Sequence, residues 1–400
     1  MSERASVLVV GVGPVGVLNA LGLARAGVPV TLFERGPGVV QSPRAAVYHW
    51  SVLDGLERLG VYDKAVNKGF LKQDYEYRVF KTGEQIRFGL QSLEGIVKRP
   101  YNLHLGQNRL VEVALEELAA FDHAVVRWEH EFVDLDQDDD GVRATFTTPE
   151  GTLTYAGDWL IGADGARSQV RTALGIEFEG ITWPERFVAT NVRYPFQEHG
   201  FGQTTFLIDD VYGAVIAKLD TTGGPGMWRY TYCEDASLPE EGVLDRMPDF
   251  LRAVLPTQEG FELVAHAPYR MHQRSATRYR DGRVLLAGDA AHATNPTGGL
   301  GLTGGMFDTY VLQEALAAVI HGQADEAVLD QYAAERRRIF LEVASPAASN
   351  NKRLIYHSSD PDQLERDLQG LRRLETDEDA VVERLMFTKS MESKSLIGAW

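Results

Sequence analysis

Residues 7–34 read VLVVGVGPVGVLNALGLARAGVPVTLFE, and most of the fold can be derived from this stretch. Its first four residues are apolar and predict a short buried strand. Gly11, Gly13 and Gly16 follow, then an Ala- and Leu-rich helical pattern to about Ala26 and a second apolar strand. In such a unit the glycines permit a tight turn, close approach of the backbone to a pyrophosphate, and close packing of helix on strand. The helix N-terminus offers its free N–H groups and its dipole to the phosphates, so the stretch predicts a dinucleotide site.

Glu34 ends the second strand of this unit. Its distance from Gly11 is close to the spacing of about 20 residues at which a carboxylate accepts hydrogen bonds from the ribose hydroxyls. The negative charge would repel a 2′-phosphate. The expected nucleotide therefore contains an ordinary adenosine diphosphate.

The composition narrows the class of protein. Forty Lys and Arg against 57 Asp and Glu leave a net charge of −17, which argues against nucleic acid and anionic membranes as partners. Cys233 is the only cysteine, so a reducing cytoplasm is expected, and the ten histidines show no zinc-like spacing. Residues 5–24 are uncharged and as long as a membrane span, but glycines and Pro14 interrupt them. We expect a cytoplasmic protein without a membrane segment or a metal site.

Three buried strands, far apart in sequence, end in glycine and acidic residues. Besides the opening glycine turn, these ends are Gly162-Ala163-Asp164-Gly165 and Gly288-Asp289. The carboxyl ends of parallel strands converge on one crevice in a doubly wound sheet. Asp164 and Asp289 are therefore candidates for hydrogen bonds to hydroxyls of an extended cofactor, although each alone is also a common helix-cap or turn residue.

The three segments together resemble the class A flavoprotein monooxygenases, the para-hydroxybenzoate hydroxylase-like aromatic hydroxylases. That family has a GxGxxG turn, a DG motif of the form DGxxSxxR, and a GD motif that continues into PxxGxG. The residues that match these motifs are Gly11, Gly13 and Gly16; Asp164, Gly165, Ser168 and Arg171; and Gly288, Asp289, Pro296, Gly299 and Gly301. Order and spacing agree over residues 1–345.

The resemblance implies that the cofactor is FAD. It places the adenosine on Glu34, the pyrophosphate over the glycine turn near Arg44, the ribityl chain near Gln107 and Asp289, and the isoalloxazine against Pro296 and the following turn. The full set of implied FAD contacts is Gly11, Gly13, Pro14, Val15, Gly16, Glu34, Arg35, Arg44, Gln107, Asp164, Gly165, Gly288, Asp289, Pro296, Gly299, Leu300, Gly301 and Leu302. Thr303 and Asn295 depart from the family, which commonly has Asn and Pro there, and a side-chain contact to the flavin edge from position 303 is in doubt.

The resemblance also implies the reaction. NADH or NADPH reduces FAD as a transient co-substrate, O₂ forms a flavin C4a-hydroperoxide, and one oxygen atom is transferred to a phenolic or other aromatic small molecule. The sequence contains no second fingerprint for the nicotinamide nucleotide, and this family needs none. The protein has to exclude water and assist ionisation of the phenol, while the cofactor performs the oxygen chemistry.

The expected architecture is α/β, with a Rossmann-like FAD-binding domain of the GR2 type interleaved with an antiparallel-sheet substrate domain, followed by C-terminal helices. The predicted segments are 1–75, 100–182 and 271–345 for the FAD-binding domain, 76–99 and 183–270 for the substrate domain, and 346–400 for the helices. Alternating patterns rich in aromatic residues predict an antiparallel sheet with one covered face. A helix is predicted over residues 45–59, ending at Gly60.

Tyr212 and Tyr232 are the preferred candidates for accepting or relaying the phenol proton, because both lie on predicted strands of the substrate sheet. His49 and His104 come next. The remaining candidates are Tyr194 and His272 for the same role, Arg193 for a substrate carboxylate, and His292, for which a structural role is expected. Simple packing or a surface position is the alternative for each of them.

Other functions remain open from the sequence alone. A nicotinamide-linked dehydrogenase or a plain binding module would explain the first glycine turn but not the DG and GD segments. A flavin enzyme of the same fold acting on a non-phenolic substrate, such as a halogenase or a geranylgeranyl reductase, is a further alternative. The WxWxIP segment of halogenases is absent from the sequence. The expected partners are a small aromatic substrate and O₂, and a homodimer is one option for the oligomeric state.

Overall fold

The computed structural model describes residues 5–41, 44–220, 226–257 and 261–398. In chain order the strands are β1 (Ala5–Val10), β2 (Val30–Phe33), β3 (Val47–Tyr48), β4 (Phe70–Lys72), β5 (Asp74–Val79), β6 (Gln85–Gly89), β7 (Asn102–His104), β8 (Ala124–Arg127), β9 (Glu131–Asp138), β10 (Gly141–Thr148), β11 (Gly151–Gly162), β12 (Phe178–Arg193), β13 (Thr204–Ile208), β14 (Ala214–Lys218), β15 (Met227–Asp235), β16 (Glu262–Ala276), β17 (Arg280–Asp281), β18 (Val284–Leu286) and β19 (His292–Ala293). The α-helices are α1 (Pro14–Arg25), α2 (Leu53–Arg58), α3 (Tyr62–Lys68), α4 (Gln107–Leu118), α5 (Gln169–Ala173), α6 (Val243–Val254), α7 (Leu300–Ile320), α8 (Ala327–Ile339), α9 (Ser345–Tyr356), α10 (Pro361–Arg372) and α11 (Glu378–Met386).

The first large sheet contains the glycine turn. Its strand order is β17–β18–β11–β1–β2–β8, and β10 and β9 extend it from β11. Because β18, β11 and β1 are parallel neighbours, the strand ends before Gly11, Asp164 and Asp289 lie side by side. The expected convergence of these three segments is confirmed.

Both faces of the sheet are buried at β1, β18 and the end of β11, which explains why these stretches are apolar without alternation. Val7 and Val9 belong to the core formed with α1, α4 and α7. Leu8 and Val10 point the opposite way, into a second core that contains Phe146 of β10. The meander β9–β11 therefore closes the side that the helices leave open.

The second large sheet has the order β19–β16–β12–β15–β14–β13–β5–β6, and its pairs are antiparallel except for β13 with β5. On one face Trp228, Tyr230 and Tyr232 of β15 pack against α6. On the other face Phe187 and neighbouring residues pack against the end of α9. The prediction of a single covered face is wrong, since helices cover parts of both.

A small third sheet, β3–β7–β4, joins the two large ones. It includes residues that the sequence analysis placed in a helix over 45–59. In the structure Val47 pairs with His104, and Ala46 accepts a hydrogen bond from Leu105, so this part is extended and only Leu53–Arg58 is α-helical. Pairing with a strand more than fifty residues away overrides the local helical pattern. Gly60, with a positive φ of 74°, terminates the helical segment as expected.

The C-terminal helices pack against the second sheet. Leu368, Leu371 and Leu385 of α10 and α11 pack on β5 and β6 through Tyr77 and Ile86. None of the helices in the described residues is long and apolar enough to cross a membrane.

Two long strands cross the predicted domain boundaries. Paired residues in β12 and β16 extend from Phe178 opposite Ala276 to Arg193 opposite Glu262, so the boundaries at 182/183 and 270/271 fall inside them. The second sheet thus begins earlier and ends later in the chain than the change in composition indicated. The division into domains stays a prediction.

One buried carboxylate connects the GD segment with the C-terminal part of the chain. Asp308, on α7, accepts hydrogen bonds from the Gly288 backbone N–H at 2.9 Å and from Nε of Arg336 at 2.7 Å, and its Oδ2 lies 2.6 Å from Nε2 of His292. Arg336 in turn donates to the carbonyl of Met391 and to Ser393. His292 thus has a structural contact, as expected.

We expect Arg336→Met to destabilise the fold strongly. Removing one partner of a fully buried ion pair leaves an uncompensated charge, which costs about 3–5 kcal/mol of unfolding free energy. Urea unfolding at neutral pH measures this. Arg338→Met is the matched control, since Arg338 lies on the same helix but is half exposed, with partners that are also on the surface. Equal losses for the two variants would contradict the assignment.

The same carboxylate gives a prediction for pH. Burial by itself raises the pKa of Asp308, but His292 and Arg336 outweigh it and lower the pKa to about 2. A depressed folded-state pKa stabilises the protein above the unfolded-state value of about 4, and this stabilisation is lost as the pH falls toward 2. We expect the urea midpoint to fall over this range less in Arg336→Met than in the parent.

Candidate active site

The turn between β1 and α1 is open toward the crevice. Helix α1 begins at Pro14 with Gly13 as its N-cap, and no side chain caps its first N–H groups. A Cβ on Gly13 would meet nothing within 4 Å, whereas a Cβ on Gly16 would overlap the carbonyl oxygen of Gly11. Gly16 is therefore required by the helix–strand packing, and the space beside Gly13 is available to a ligand.

Glu34 is fixed at the rim of this turn. Its Oε2 accepts a hydrogen bond from the Val12 N–H and its Oε1 accepts one from the Gly36 N–H, both at 3.0 Å. Each carboxylate oxygen accepts two hydrogen bonds, so one position on each oxygen remains for a ribose hydroxyl. Arg35, the next residue, is exposed.

Asp164 caps a helix with one carboxylate oxygen and keeps the other without a partner. Its Oδ2 caps α5 by accepting the N–H groups of Gln169 and Val170 at 2.7 and 3.2 Å. Its Oδ1 is buried and has no hydrogen-bond partner among the described residues, and burial raises the pKa of this carboxyl. A buried oxygen of this kind is expected to accept a bond from a ligand.

Arg171 fastens the DG segment to the GD segment. This buried guanidinium donates to the carbonyl of Ala166 at 2.9 Å and to the carbonyl of Ala290 at 2.8 Å. The conformation at Gly288 is left-handed, with φ of 58°, and a Cβ there would press on Val15 at 2.8 Å. The GD turn is thus held directly against the glycine turn.

Asp289 lies in a concave position. Its side chain is accessible to solvent, yet desolvation by the surrounding protein raises its pKa, with His292 and Arg44 acting in the opposite direction. A carboxylate that is accessible and still crowded by protein faces a cleft. The charge of Arg44 reaches Asp289, so both belong to the same cleft.

The segment around Arg44 is bonded both to the start of α4 and to the second sheet. The Gln107 N–H, at the start of α4, donates to the carbonyl of Ala45 at 3.0 Å. From the second sheet, Arg229 donates to the carbonyl of Arg44 at 2.5 Å and to Asn191 at 2.8 Å. Two residues predicted from distant parts of the sequence, Arg44 and Gln107, are therefore near neighbours, and Arg229, which was not predicted, joins them to the second sheet.

The turn expected to carry the flavin ring is shaped by Gly298 and Gly299, with φ values of 95° and 72°. Helix α7 begins at Leu300 without a side-chain cap. Asn295 is fully buried and holds this turn by bonds to Gln273 and to the Thr297 N–H. The Thr303 hydroxyl donates to the carbonyl of Gly299 at 3.0 Å. Its side chain therefore bonds to the backbone of the same turn rather than making a contact to the edge of the ring.

The two preferred tyrosines lie elsewhere. Tyr212 is in a turn before β14, not on a strand, and Tyr232 is on β15. Both rings contact Phe250 of α6, so they share one covered face, but it is the face toward α6. Arg229, which reaches the cleft, alternates with Tyr230 and Tyr232 and points the opposite way. The structure therefore separates this pair from the cleft.

His49 lies at the turn that follows Pro296, and His104 lies in the small sheet. His49 Nε2 is 2.9 Å from the carbonyl oxygen of Gly298, on the flavin turn. His104 is fully buried and its Nδ1 is 2.7 Å from the carbonyl oxygen of Lys218, on β14. Burial lowers the pKa of both imidazoles, and the positive charge of Lys72 lowers it further, while the contacts with Gly298 and Lys218 act in the opposite direction. A lysine that was not predicted from the sequence therefore belongs to this group. Nothing in the local sequence indicates its burial, because lysine is usually exposed.

The remaining candidates have structural contacts. Tyr194 donates to the carbonyl of Thr257, and His272 Nδ1 is 2.9 Å from the Thr182 hydroxyl. Arg193 is part-exposed and lies 3.9 Å from Glu262. No group of three or more His, Cys, Asp or Glu side chains in the described residues is arranged to hold a metal ion.

The open helix N-terminus, the carboxylate of Glu34 at its rim and the glycine turn at the start of α7 form one cleft suited to an extended nucleotide cofactor. Residues 4–345 match the family model described as "FAD binding domain". The chain belongs to this family, and within it to the class A FAD-dependent aromatic monooxygenases.

Three relatives show how extensive the similarity is. The 6-hydroxy-3-succinoylpyridine 3-monooxygenase of Pseudomonas putida (strain DSM 28022 / S16) is 46% identical over 394 residues, covering 98% of this chain and 100% of the relative. The para-nitrophenol 4-monooxygenase of Pseudomonas sp. (strain WBC-3) is 41% identical, covering 99% and 98%. The crystal structure of p-nitrophenol 4-monooxygenase from Pseudomonas putida DLL-E4 has a TM-score of 0.94 at 40% identity, covering 98% and 100%. The chain is an FAD-dependent aromatic monooxygenase that uses NAD(P)H.

The cleft fits FAD on its own evidence. The uncapped helix, the space beside Gly13, the free oxygen of Asp164 and the accessible Asp289 all suit an extended, hydroxyl-rich diphosphate. The departures at positions 295 and 303 preserve the backbone of the flavin turn.

We expect Gly13→Ala to weaken FAD binding and Gly16→Ala to destabilise the fold. A methyl group at position 13 projects into the ligand space, so folding stays normal while FAD binding weakens by about 1–3 kcal/mol, roughly 5- to 150-fold. A methyl group at position 16 displaces the backbone of Gly11 and lowers the melting temperature even without FAD. Flavin titration and thermal melts with and without FAD measure both effects. Identical behaviour of the two variants would contradict the separation of ligand contact from packing.

Proposed function

We propose that this enzyme hydroxylates a phenol or hydroxypyridine at the ring carbon para to the hydroxyl group and displaces the substituent on that carbon. The observation that carries the proposal is the full-length match to two relatives whose names share this feature. Position 4 of para-nitrophenol bears the nitro group, and position 3 of 6-hydroxy-3-succinoylpyridine bears the succinoyl group. Each of these carbons lies para to the hydroxyl.

The regiochemistry has a physical reason. Ionisation of the hydroxyl sends electron density to the ortho and para carbons, which then attack an electrophilic oxygen. For a phenol with a para substituent X, the overall reaction is phenol, O₂, NAD(P)H and H⁺ giving quinone, HX, H₂O and NAD(P)⁺. The ring carbon forms a bond to oxygen and X leaves with the bonding pair. When bound, FAD accepts hydride from the nicotinamide and delivers one oxygen atom of O₂.

The chain's own residues perform binding, orientation and exclusion of water. We propose that FAD is held by the contacts predicted from the sequence, with Glu34 on the ribose and Asp289 near the ribityl chain. Tyr75, Tyr77, Phe88 and Phe206 form stacked pairs on β5, β6 and β13, beneath α10 and α11. This aromatic layer suits a small planar substrate and keeps water from the reaction.

We place His49 and His104, rather than the tyrosines, beside the substrate's hydroxyl group, because His49 contacts Gly298 and the charge of Lys72 reaches both imidazoles. A homodimer and a cytoplasmic location remain part of the proposal. The latter rests on the single cysteine.

A panel of substituted phenols tests the proposal. Purified holoenzyme is incubated with 4-nitrophenol, 4-chlorophenol and 4-hydroxyacetophenone, each alongside its meta isomer, and with NADH or NADPH under air. We expect consumption of the para compounds only, with one nitrite, chloride or acyl fragment released per NAD(P)H oxidised and a quinone or hydroquinone as product. Ortho-hydroxylated products that retain the substituent would contradict displacement at the para carbon.

A further inference from the structure

Lys72 is a buried cation without a counter-charge in contact. Its side chain is 1% exposed, and its Nζ makes no hydrogen bond or ion pair with any described residue. The amine lies over the ring face of Tyr75, with Nζ 3.9 Å from the ring centroid. The other buried cations differ, since Arg336 bonds to Asp308 and Lys352 bonds to Glu185. An unpaired buried amine is expensive to maintain.

The position of Lys72 follows from the register of the small sheet. Lys72 lies opposite Asn102, and Phe70 lies opposite His104. Opposed residues in an antiparallel pair share a face, and diagonal neighbours are about 7–8 Å apart at Cα. Lys72 and His104 therefore project from one face, as the 5.0 Å spacing of the Phe70 and His104 rings supports. His49 extends the same face beyond β3.

Two nitrogen atoms on this face lack a hydrogen-bond partner, and they need opposite kinds of partner. A carbonyl only accepts, so Nδ1 of His104 donates to Lys218 and Nε2 carries the lone pair. That Nε2 is buried without a donor, while Lys72 Nζ lacks an acceptor. His49 Nε2 likewise donates to Gly298. The missing ligand must both donate and accept hydrogen bonds at one atom, as a hydroxyl group does.

The titration behaviour agrees with this geometry. Burial lowers the pKa of Lys72 to about 7, and the charge of Asp74 opposes this shift only in part. Burial and Lys72 lower the pKa of His104 to about 3, so that imidazole is neutral and Lys72 is the stronger base. The ionisable groups facing the amine are Asp74, Tyr75, His49 and His104, and Arg384 acts on Tyr75.

We propose that Lys72 takes the proton from the substrate's hydroxyl group and then holds the oxyanion as an ion pair. This deepens the proposed function and rests on it. The phenol O–H bond breaks, its electron pair stays on oxygen, and the proton forms a new N–H bond to the Lys72 lone pair. No electron is gained or lost.

The same arrangement gives a reason for para selectivity. With the hydroxyl held on the small sheet and His49 spanning to the flavin turn at Gly298, the carbon opposite the hydroxyl is the one directed at the turn. The strands that carry Lys72 and Asp74 also border a surface cleft of about 520 Å³, lined among others by Lys72, Asp74 and Gln203.

Lys72→Met tests the assignment, with Lys68→Met as the matched control. Lys68 is part-exposed and paired with Glu116, and it lies at the end of α3, just before β4. The measurement is the pH titration of 4-nitrophenol bound to oxidised holoenzyme, read from the nitrophenolate absorbance. We expect the parent and Lys68→Met to bind nitrophenolate alike. In Lys72→Met the phenolate affinity falls about 10- to 100-fold, the scale of a lost charge-assisted hydrogen bond, and the bound phenol titrates at a higher pH.

Two further readouts separate this role from a structural one. Replacing an unpaired buried cation by an apolar side chain of similar length should leave the melting temperature and FAD content unchanged or raised, whereas loss of either would assign Lys72 to folding and overturn the proposal. Lys72→Arg, a permanent cation, should retain phenolate binding, which serves as a second test of the ion pair.

The outcomes also distinguish the two levels of inference. If the parent binds and oxidises phenols and Lys72→Met does so with unchanged phenolate affinity and titration, the role of Lys72 is wrong and the proposed function stands. If the parent neither binds nor oxidises any phenol of the panel, both are wrong.

Discussion

The buried carboxylate of Asp308 is the constraint on which the cofactor cleft depends. It accepts the Gly288 N–H directly beneath the GD turn and is neutralised by Arg336, which also binds the backbone at Met391. A carboxylate in an apolar interior is tolerated only when its hydrogen bonds are complete. The GD turn, α7, α8 and the chain near residue 391 are therefore locked into one arrangement.

The same arrangement also positions the second sheet. Helix α9 follows α8 through a π-helical turn at Phe340–Ala344 and ends against Phe187 of the second sheet. From the opposite side, Arg229 and His104 tie that sheet to the Arg44 segment and to the small sheet. These bonds hold the proposed FAD-binding residues and the nitrogen bases of the small sheet in place before any ligand binds, which is preorganisation.

Predictions from the sequence were confirmed where a short local pattern reflects one requirement of the backbone, such as a tight turn or a close contact. Gly16 and Gly288 are needed because a side chain there would collide with Gly11 and Val15, and both were identified from spacing. The helix over residues 45–59 failed in its first half because β7 supplies hydrogen bonds from a distance. The side of the sheet on which Tyr212 and Tyr232 lie could not be predicted, for another reason. Alternation along a strand shows that two faces exist, and only the position of α6 shows which face is turned from the cofactor.

The sequence by itself determined the dinucleotide fold, the three parallel strand ends and the class of cofactor, because these follow from short glycine and apolar patterns. Only the tertiary structure decided which bases meet the cleft. His49 contacts Gly298 and His104 contacts Lys218, and each pair is more than one hundred residues apart in the chain. Lys72 is buried by its position in the small sheet, which the residues next to it in the sequence do not indicate. Contacts between distant segments depend on how the sheets pack against each other, and local patterns do not encode that packing.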